Sequence, residues 1–208
     1  MALNNYSNLK AAIEDWSKRP DAASKIDDFI TLTEEAMFSD PDFPLELRQI
    51  ESRETATVST SSRFLALPDR FLEMRRLKIN LSGGDCDIIY LSPEQMPING
   101  ASGIPKFFTV TSQLEFDRVP DSAYTVEMQL YKSPTALDST NTTNDILTNH
   151  PSIYLHGCLH FLFKWSMQTD LAEYHEAKFR QAIRGATKRY KRGRYGPAPK
   201  IRIEGPTP

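Results

Sequence analysis

The chain has 208 residues, 39% of them hydrophobic and 25% charged, with a formal net charge of −2. That balance suits one sizeable core or one domain carrying an insertion, and the absence of an apolar run near the roughly 18 to 20 residues that cross a bilayer argues against a membrane protein. The start, Met1-Ala-Leu-Asn-Asn-Tyr6, lacks the basic and apolar stretches of a secretory signal, and Cys86 and Cys158 form no CxxC motif or disulfide framework, so a reducing, intracellular site of synthesis is expected.

The small net charge conceals an asymmetry. Residues 188–208 hold seven Lys/Arg and one acid, whereas the rest of the chain has 18 bases against 26 acids. Such a separation predicts that the C-terminus meets a different surface from the body, either an acidic protein or a nucleic-acid backbone.

In chain order, Tyr6, Leu9, Ile13 and Trp16 fall at helical spacing, with Asn4 or Asn5 placed to cap the first turn. Arg19-Pro20-Asp21 breaks that helix. Ser24 and Asp27 suggest a cap for a second one, on which Ile26, Phe29, Ile30, Thr33 and Met37 form a stripe. A third, shorter helix is expected from about Pro44 to Ser52, since proline suits a first helical position. From Arg53 the period changes, and short segments at 54–59, 63–67, 74–81, 87–91, 106–111, 114–117 and 124–131 read as strands, with Ser82-Gly-Gly-Asp85 as a hairpin turn and Ser92-Pro-Glu-Gln95 as a helical turn. A small antiparallel sheet or sandwich of about six strands fits residues 53–133.

Residues 134–149 are polar and read as an exposed return loop. His150-Pro151 then reads as the cap and first position of a helix to about Gln168, whose Ile153, Leu155, Leu159, Leu162 and Phe163 spread around it and make it central. Asp170 and Glu173 open a last helix to about Arg192, with Leu171, Tyr174, Phe179, Ile183 and Tyr190 as its apolar face and Gly193 and Gly196-Pro197 as its end. The expected fold is therefore α+β: an antiparallel helical bundle built from both chain ends, an inserted small antiparallel β domain, and an extended C-terminal tail. The expected boundaries are 1–52, 53–137, 138–192 and 193–208.

Little in the sequence assembles a reaction. His156 and His160 stand four apart with Cys158 between them, but two imidazoles do not make a metal site, and no HExxH, CxxC pair or acidic cluster completes one. Cys158 reads as a buried thiol, because His160 faces away from it on a helix. Ser82-Gly-Gly-Asp85 and Asn99-Gly-Ala-Ser-Gly103 lack the phosphate-cradling glycine patterns and read as turns. Asp15, Asp27, Asp28, Glu34 and Glu35 read as solvated helix faces. No catalytic residue, metal or cofactor is expected, and the chain does not read as an enzyme.

The sharpest local signal is Lys188-Arg-Tyr-Lys-Arg-Gly-Arg-Tyr195, which interleaves bases with Tyr190 and Tyr195 and is able to neutralise phosphates and stack on nucleobases. Beyond it, Lys200-Ile-Arg-Ile-Glu204 alternates charged and apolar groups, so Ile201 and Ile203 point the same way if the segment adds a strand to another protein's sheet edge. The predicted contact residues are Lys188, Arg189, Tyr190, Lys191, Arg192, Arg194, Tyr195, Lys200, Ile201, Arg202 and Ile203. They serve either a protein partner or DNA, and a nucleic-acid-binding module built on this stretch is the alternative function.

Three phrases also resemble a known family. Tyr6-Ser-Asn-Leu-Lys-Ala-Ala-Ile-Glu-Asp-Trp16 followed by Ile26-Asp-Asp-Phe-Ile-Thr-Leu-Thr-Glu34 resembles the paired opening helices of the adaptor, or head-tail connector, proteins of tailed phages, especially short-tailed ones. Arg63-Phe-Leu-Ala-Leu-Pro-Asp-Arg-Phe-Leu-Glu-Met-Arg-Arg-Leu77 is similar to their strand signature, and Asn144-Asp-Ile-Leu-Thr-Asn-His-Pro-Ser-Ile-Tyr-Leu-His-Gly-Cys-Leu159 resembles their entry into the central helix. Order and spacing match over roughly residues 3–190. The resemblance implies a structural virion protein at the head-tail interface: a homo-oligomeric, dodecameric ring below the portal protein, with a tail tube or nozzle protein on its other face and genomic DNA passing through its channel. It carries no catalytic residues over. The basic helix end and proline-rich terminus depart from the family's pattern and leave both portal docking and channel lining open for the tail.

Overall fold

The computed structural model describes residues 3–39, 45–47 and 50–195, with side chains to Arg192. The chain divides into two units: residues 1–49 together with 134–208, and residues 50–133.

The first unit is helical. Helix α1 (Tyr6–Ser17) begins where the Asn5 side chain accepts a hydrogen bond from the Asn8 N–H at 2.8 Å and ends at Lys18 in the left-handed region, φ 51°. A 3-10 turn over Pro20–Lys25 then leads into α2 (Ile26–Ser39), whose Ile26, Phe29, Ile30, Thr33 and Met37 are all buried at the expected spacing. On α1, Leu9 and Ile13 are buried, but Trp16 is 56% exposed, so the expected stripe ends one turn early.

The short helix expected over 44–52 does not form. Leu45, Glu46 and Leu47 are not in regular structure, and Glu51 and Ser52 belong to a strand; residues 44, 48 and 49 lie outside the described residues. Leu45 and Leu47 are both buried, the period of an extended segment, and the Leu45 N–H donates to the Met37 carbonyl at 3.0 Å.

The return segment also contains a helix that the sequence reading missed, α3 (Asp145–Asn149). Asn144 caps it by accepting from Leu147 N–H at 2.9 Å, and Ile146 and Leu147 are fully buried. Helix α4 (Pro151–Trp165) packs against α1, α2, α3 and α5 and is the central helix. His150 precedes it without a side-chain cap bond. Helix α5 (Thr169–Tyr195) runs through Gly193, since one glycine costs a helix only about 1 kcal/mol and does not by itself stop it. Its buried stripe is Ala172, His175, Phe179, Ile183, Ala186 and Tyr190. Leu171 and Tyr174, expected in that stripe, are instead 43% and 54% exposed.

A polar network ties α2, α4 and the return segment together. Fully buried Tyr154 donates to Glu34 Oε1 at 2.8 Å, which also accepts from the Leu137 N–H at 2.9 Å, while Asn144 Nδ2 donates to the Tyr154 hydroxyl at 2.7 Å. Burial, the larger influence, raises Glu34 above the usual carboxylate range against the pull of these two donors.

The second unit is one seven-stranded sheet: β1 (Glu51–Thr57), β2 (Phe64–Leu65), β3 (Phe71–Leu81), β4 (Gly84–Tyr90), β5 (Phe107–Val110), β6 (Leu114–Phe116) and β7 (Thr125–Lys132), in the order β1-β7-β3-β4-β5-β6-β2. Five pairings are antiparallel, but β4 and β5 run parallel, with Ile89 opposite Phe107 and Tyr90 opposite Phe108. Residues 91–106, including a 3-10 turn at Pro93–Gln95, provide the crossover that a parallel pair requires. Gly84 turns the β3–β4 hairpin at φ 124°, a conformation that needs glycine. The core of the unit is Val58, Leu77, Ile79, Ile88, Phe108, Leu114, Phe116, Val126, Met128 and Leu130.

The expected architecture therefore needs correcting. Among the described residues the fold is α+β with a seven-stranded mixed sheet and five helices, not an antiparallel bundle with a small antiparallel insertion. The helices range from five residues in α3 to 27 in α5, too unequal for a bundle of matched lengths, and they meet through their shared packing on α4. The parallel β4–β5 pair is what removes the sheet from the antiparallel class.

Candidate interaction surfaces

The exposed side of α5 follows from its buried side. With Ala172, His175, Phe179, Ile183, Ala186 and Tyr190 turned inward, Arg180, Arg184, Lys188 and Arg192 recur at i, i+4 spacing on the exposed face and form a ridge about 18 Å long. From Ala177 to Tyr195 the helix carries eight Lys/Arg and no acid. Arg180 bonds Glu176 at 2.9 Å, and Lys191 reaches Glu46 at 3.2 Å.

Of the predicted contact residues, Lys188, Arg189, Lys191 and Arg192 are exposed on α5. Tyr190 is only 9% exposed and continues the buried stripe, which limits its use for stacking on a base. Arg194 and Tyr195 lie in the last turn of α5, beyond the described side chains, and Lys200, Ile201, Arg202 and Ile203 lie outside the described residues. Arg180 and Arg184 extend the basic surface toward the N-terminus of the helix. Their signal was the four-residue spacing combined with the lack of acids, which a reading of the dense Lys188–Tyr195 run passes over.

The acids of α2 divide by direction. Asp27 faces α1, where it accepts from the Tyr6 hydroxyl at 2.6 Å and pairs with Lys10 at 2.7 Å. Those partners hold its carboxyl below the usual range, whereas burial, followed by the bond to Asp27, pushes Tyr6 up to about 12. Glu34 is held in the Tyr154 network described above. Asp28 and Glu35 are exposed with Leu32 between them, 41% exposed, so an acid–apolar–acid stripe runs along the outer face of α2.

The histidines are arranged differently from the spacing argument. His156 Nδ1 lies 3.0 Å from Nδ1 of His175, and His160 Nδ1 lies 3.0 Å from the Ala172 carbonyl, so both face α5. His175 stacks on Phe163 with ring centroids 5.4 Å apart, and Trp16 meets His156 edge-on at 6.1 Å. Burial first, and then neighbouring His156 and His160, pushes His175 down to about 4; burial and then the Lys178 charge lower His156. The pair is therefore neutral near pH 7, with one ring donating and the other accepting. His150 is also lowered, by burial and then by the charge of Arg189. Cys158 is fully buried on α4, where burial pushes its thiol up to about 12, and a thiol of that kind is no nucleophile at neutral pH. Among the described residues, no group of three or more His, Cys, Asp and Glu side chains is placed to hold a metal ion.

Both units also expose large apolar side chains. Trp16, Trp165, Met167 and Tyr174 are between 45% and 86% exposed in the helical unit, and Ile89, Tyr90 and Ile98 between 55% and 65% in the sheet unit. Among the described residues, no helix is long and apolar enough to cross a membrane.

No curated protein matches the chain. The family model described as SU10 adaptor protein matches residues 4–201, nearly the whole length and both units. The chain accordingly belongs to the SU10 adaptor protein family, a phage adaptor family, which makes it a structural component of the virion at the head-to-tail junction with other virion proteins as its partners.

Proposed function

We propose that copies of this chain close into a dodecameric ring that joins the portal to the tail, with genomic DNA passing through its channel and the basic C-terminus docking on the portal. The observation that carries the reading is α5. Its outer half is basic and free of acid, Tyr190 is the last buried residue among its described side chains, and the chain continues from it through a further basic, proline-containing stretch. A rigid helix that leads into an interacting segment suits attachment to a separate body. Presenting many identical tails to a symmetric partner multiplies a weak single contact.

The remaining acidic body favours a protein partner for that tail over non-specific adhesion to phosphates. The ring reading gains support from the helical unit, which carries an acidic stripe on α2 and a basic ridge on α5, because a closed ring needs two different patches on each subunit. Co-sedimentation tests the proposal: the chain travels with portal rings at a fixed stoichiometry, and a chain that stays behind contradicts it.

One observation favours a second reading, a nucleic-acid contact. The Arg180–Arg192 ridge has the spacing and charge to follow a phosphate backbone. That reading expects DNA affinity that falls steeply with salt and is unaffected by changes on α2.

A further inference from the structure

We infer that adjacent subunits join through the helical unit, the acidic outer stripe of α2 in one copy seating on the basic ridge of α5 in the next. This rests on the ring reading above and names the surfaces that close the ring. The partner is a second copy of this chain, and the argument for it is charge complementarity. From Ile26 to Ser39, α2 holds four acids and no base; from Ala177 to Tyr195, α5 holds eight bases and no acid.

The contacts within the subunit leave both surfaces available. Asp27 and Glu34 are tied to Lys10, Tyr6, Tyr154 and the Leu137 N–H, whereas Asp28, which meets Lys25 only at 3.9 Å, and Glu35 are exposed on the outer face, seven residues and so two helical turns apart. Lys188 and Arg192 are exposed on α5, one turn apart. Both helices turn their apolar stripes toward α4, so the two charged surfaces look outward from different helices of one unit. Two complementary surfaces that face away from the subunit in different directions pair head to tail, the arrangement that generates rings. Leu32, exposed between Asp28 and Glu35, supplies an apolar centre to the acidic stripe.

Charge exchange tests the inference. One variant carries Asp28→Lys and Glu35→Lys; the other carries Lys188→Glu and Arg192→Glu. All four positions are exposed, and circular dichroism melts check that each variant folds as the wild type does. Each variant sets like charge against like charge at the joint, so by sedimentation its self-association weakens by about tenfold or more, and electron images with portal rings lose the added ring. An equal mixture of the two variants restores opposite charges at every joint and recovers the assembly.

Variants that assemble as well as the wild type, or a mixture that fails to recover, overturn the inference and leave the ring reading standing. A wild-type chain that forms no ring alone or on the portal overturns both. Loss confined to the α5 variant, accompanied by loss of salt-sensitive DNA retention, overturns the inference in favour of a nucleic-acid contact.

Discussion

Gly157 on α4 faces Thr33 on α2 so closely that a β-carbon built on the glycine would stand 2.3 Å from Thr33 Cγ2 and 3.1 Å from Phe179 Cε2 on α5. Three helices meet there because position 157 carries no side chain. Thr33 has no easy way to yield, since its hydroxyl donates to the Phe29 carbonyl at 2.7 Å and its side chain is fully buried.

Gly157→Ala therefore sets two effects against each other. Alanine gains about 1 kcal/mol over glycine inside a helix. Overpacking a filled core costs about 1 to 3 kcal/mol, and a 2.3 Å contact with a β-branched neighbour belongs at the upper end. The expected result is a net loss of about 1 to 2 kcal/mol in a denaturant titration, with Thr33→Ser in the same chain recovering part of it. A Gly157→Ala chain as stable as the wild type contradicts this account of the packing.

The His156–His175 pair makes stability depend on pH. His175 is held down to about 4 and His156 is also lowered, so between that value and the ordinary histidine range near 6.5 the unfolded chain binds more protons than the folded one. Their contribution is fully present above about 6.5 and is lost as pH falls toward 4. Thermal melts across that window are expected to show the decline. His175→Phe, which keeps a ring against Phe163, should flatten it; an unchanged slope in the variant assigns the decline to other groups.

Removing residues 193–208 separates folding from attachment. The buried stripe of α5 from Ala172 to Tyr190 lies wholly within the retained residues, so the truncated chain is expected to melt within about 1 kcal/mol of the full chain, as surface changes generally do. Capture by immobilised portal should fall sharply. Capture at full strength would remove the tail from the portal-docking role.

Much of the helical unit is legible in the sequence because burial there follows a local period. The Ile26, Phe29, Ile30, Thr33 and Met37 stripe is one example, and the spread of apolar residues around α4 marks it as central. What was missed depends on partners far along the chain. Nothing in the spacing of Ile89, Tyr90, Phe107 and Phe108 says that their strands run parallel, since period two is common to both arrangements. His175 answers His156 from another helix, and no sequence distance marks that pairing.

Other misses were readable. Asn144-Asp145 followed by Ile146 and Leu147 is a cap, an acid and an apolar pair, yet the polar residues before it made the whole stretch look like loop. Of the two end signals, Gly193 and Gly196-Pro197, Gly193 does not stop α5, which continues to Tyr195. In the candidate surface, Lys188 to Arg192 stood out by density, whereas Arg180 and Arg184 become part of the same ridge only when the helix is continued through them.

Averaged electron images of the protein mixed with portal rings decide whether this adaptor works as a ring joined to the portal. The expected result is a second ring stacked on the portal, with matching rotational symmetry in end views and an added layer in side views. Portal rings without added density, from a chain that instead binds DNA in a salt-sensitive way, would contradict it and leave the nucleic-acid contact as the better reading of α5.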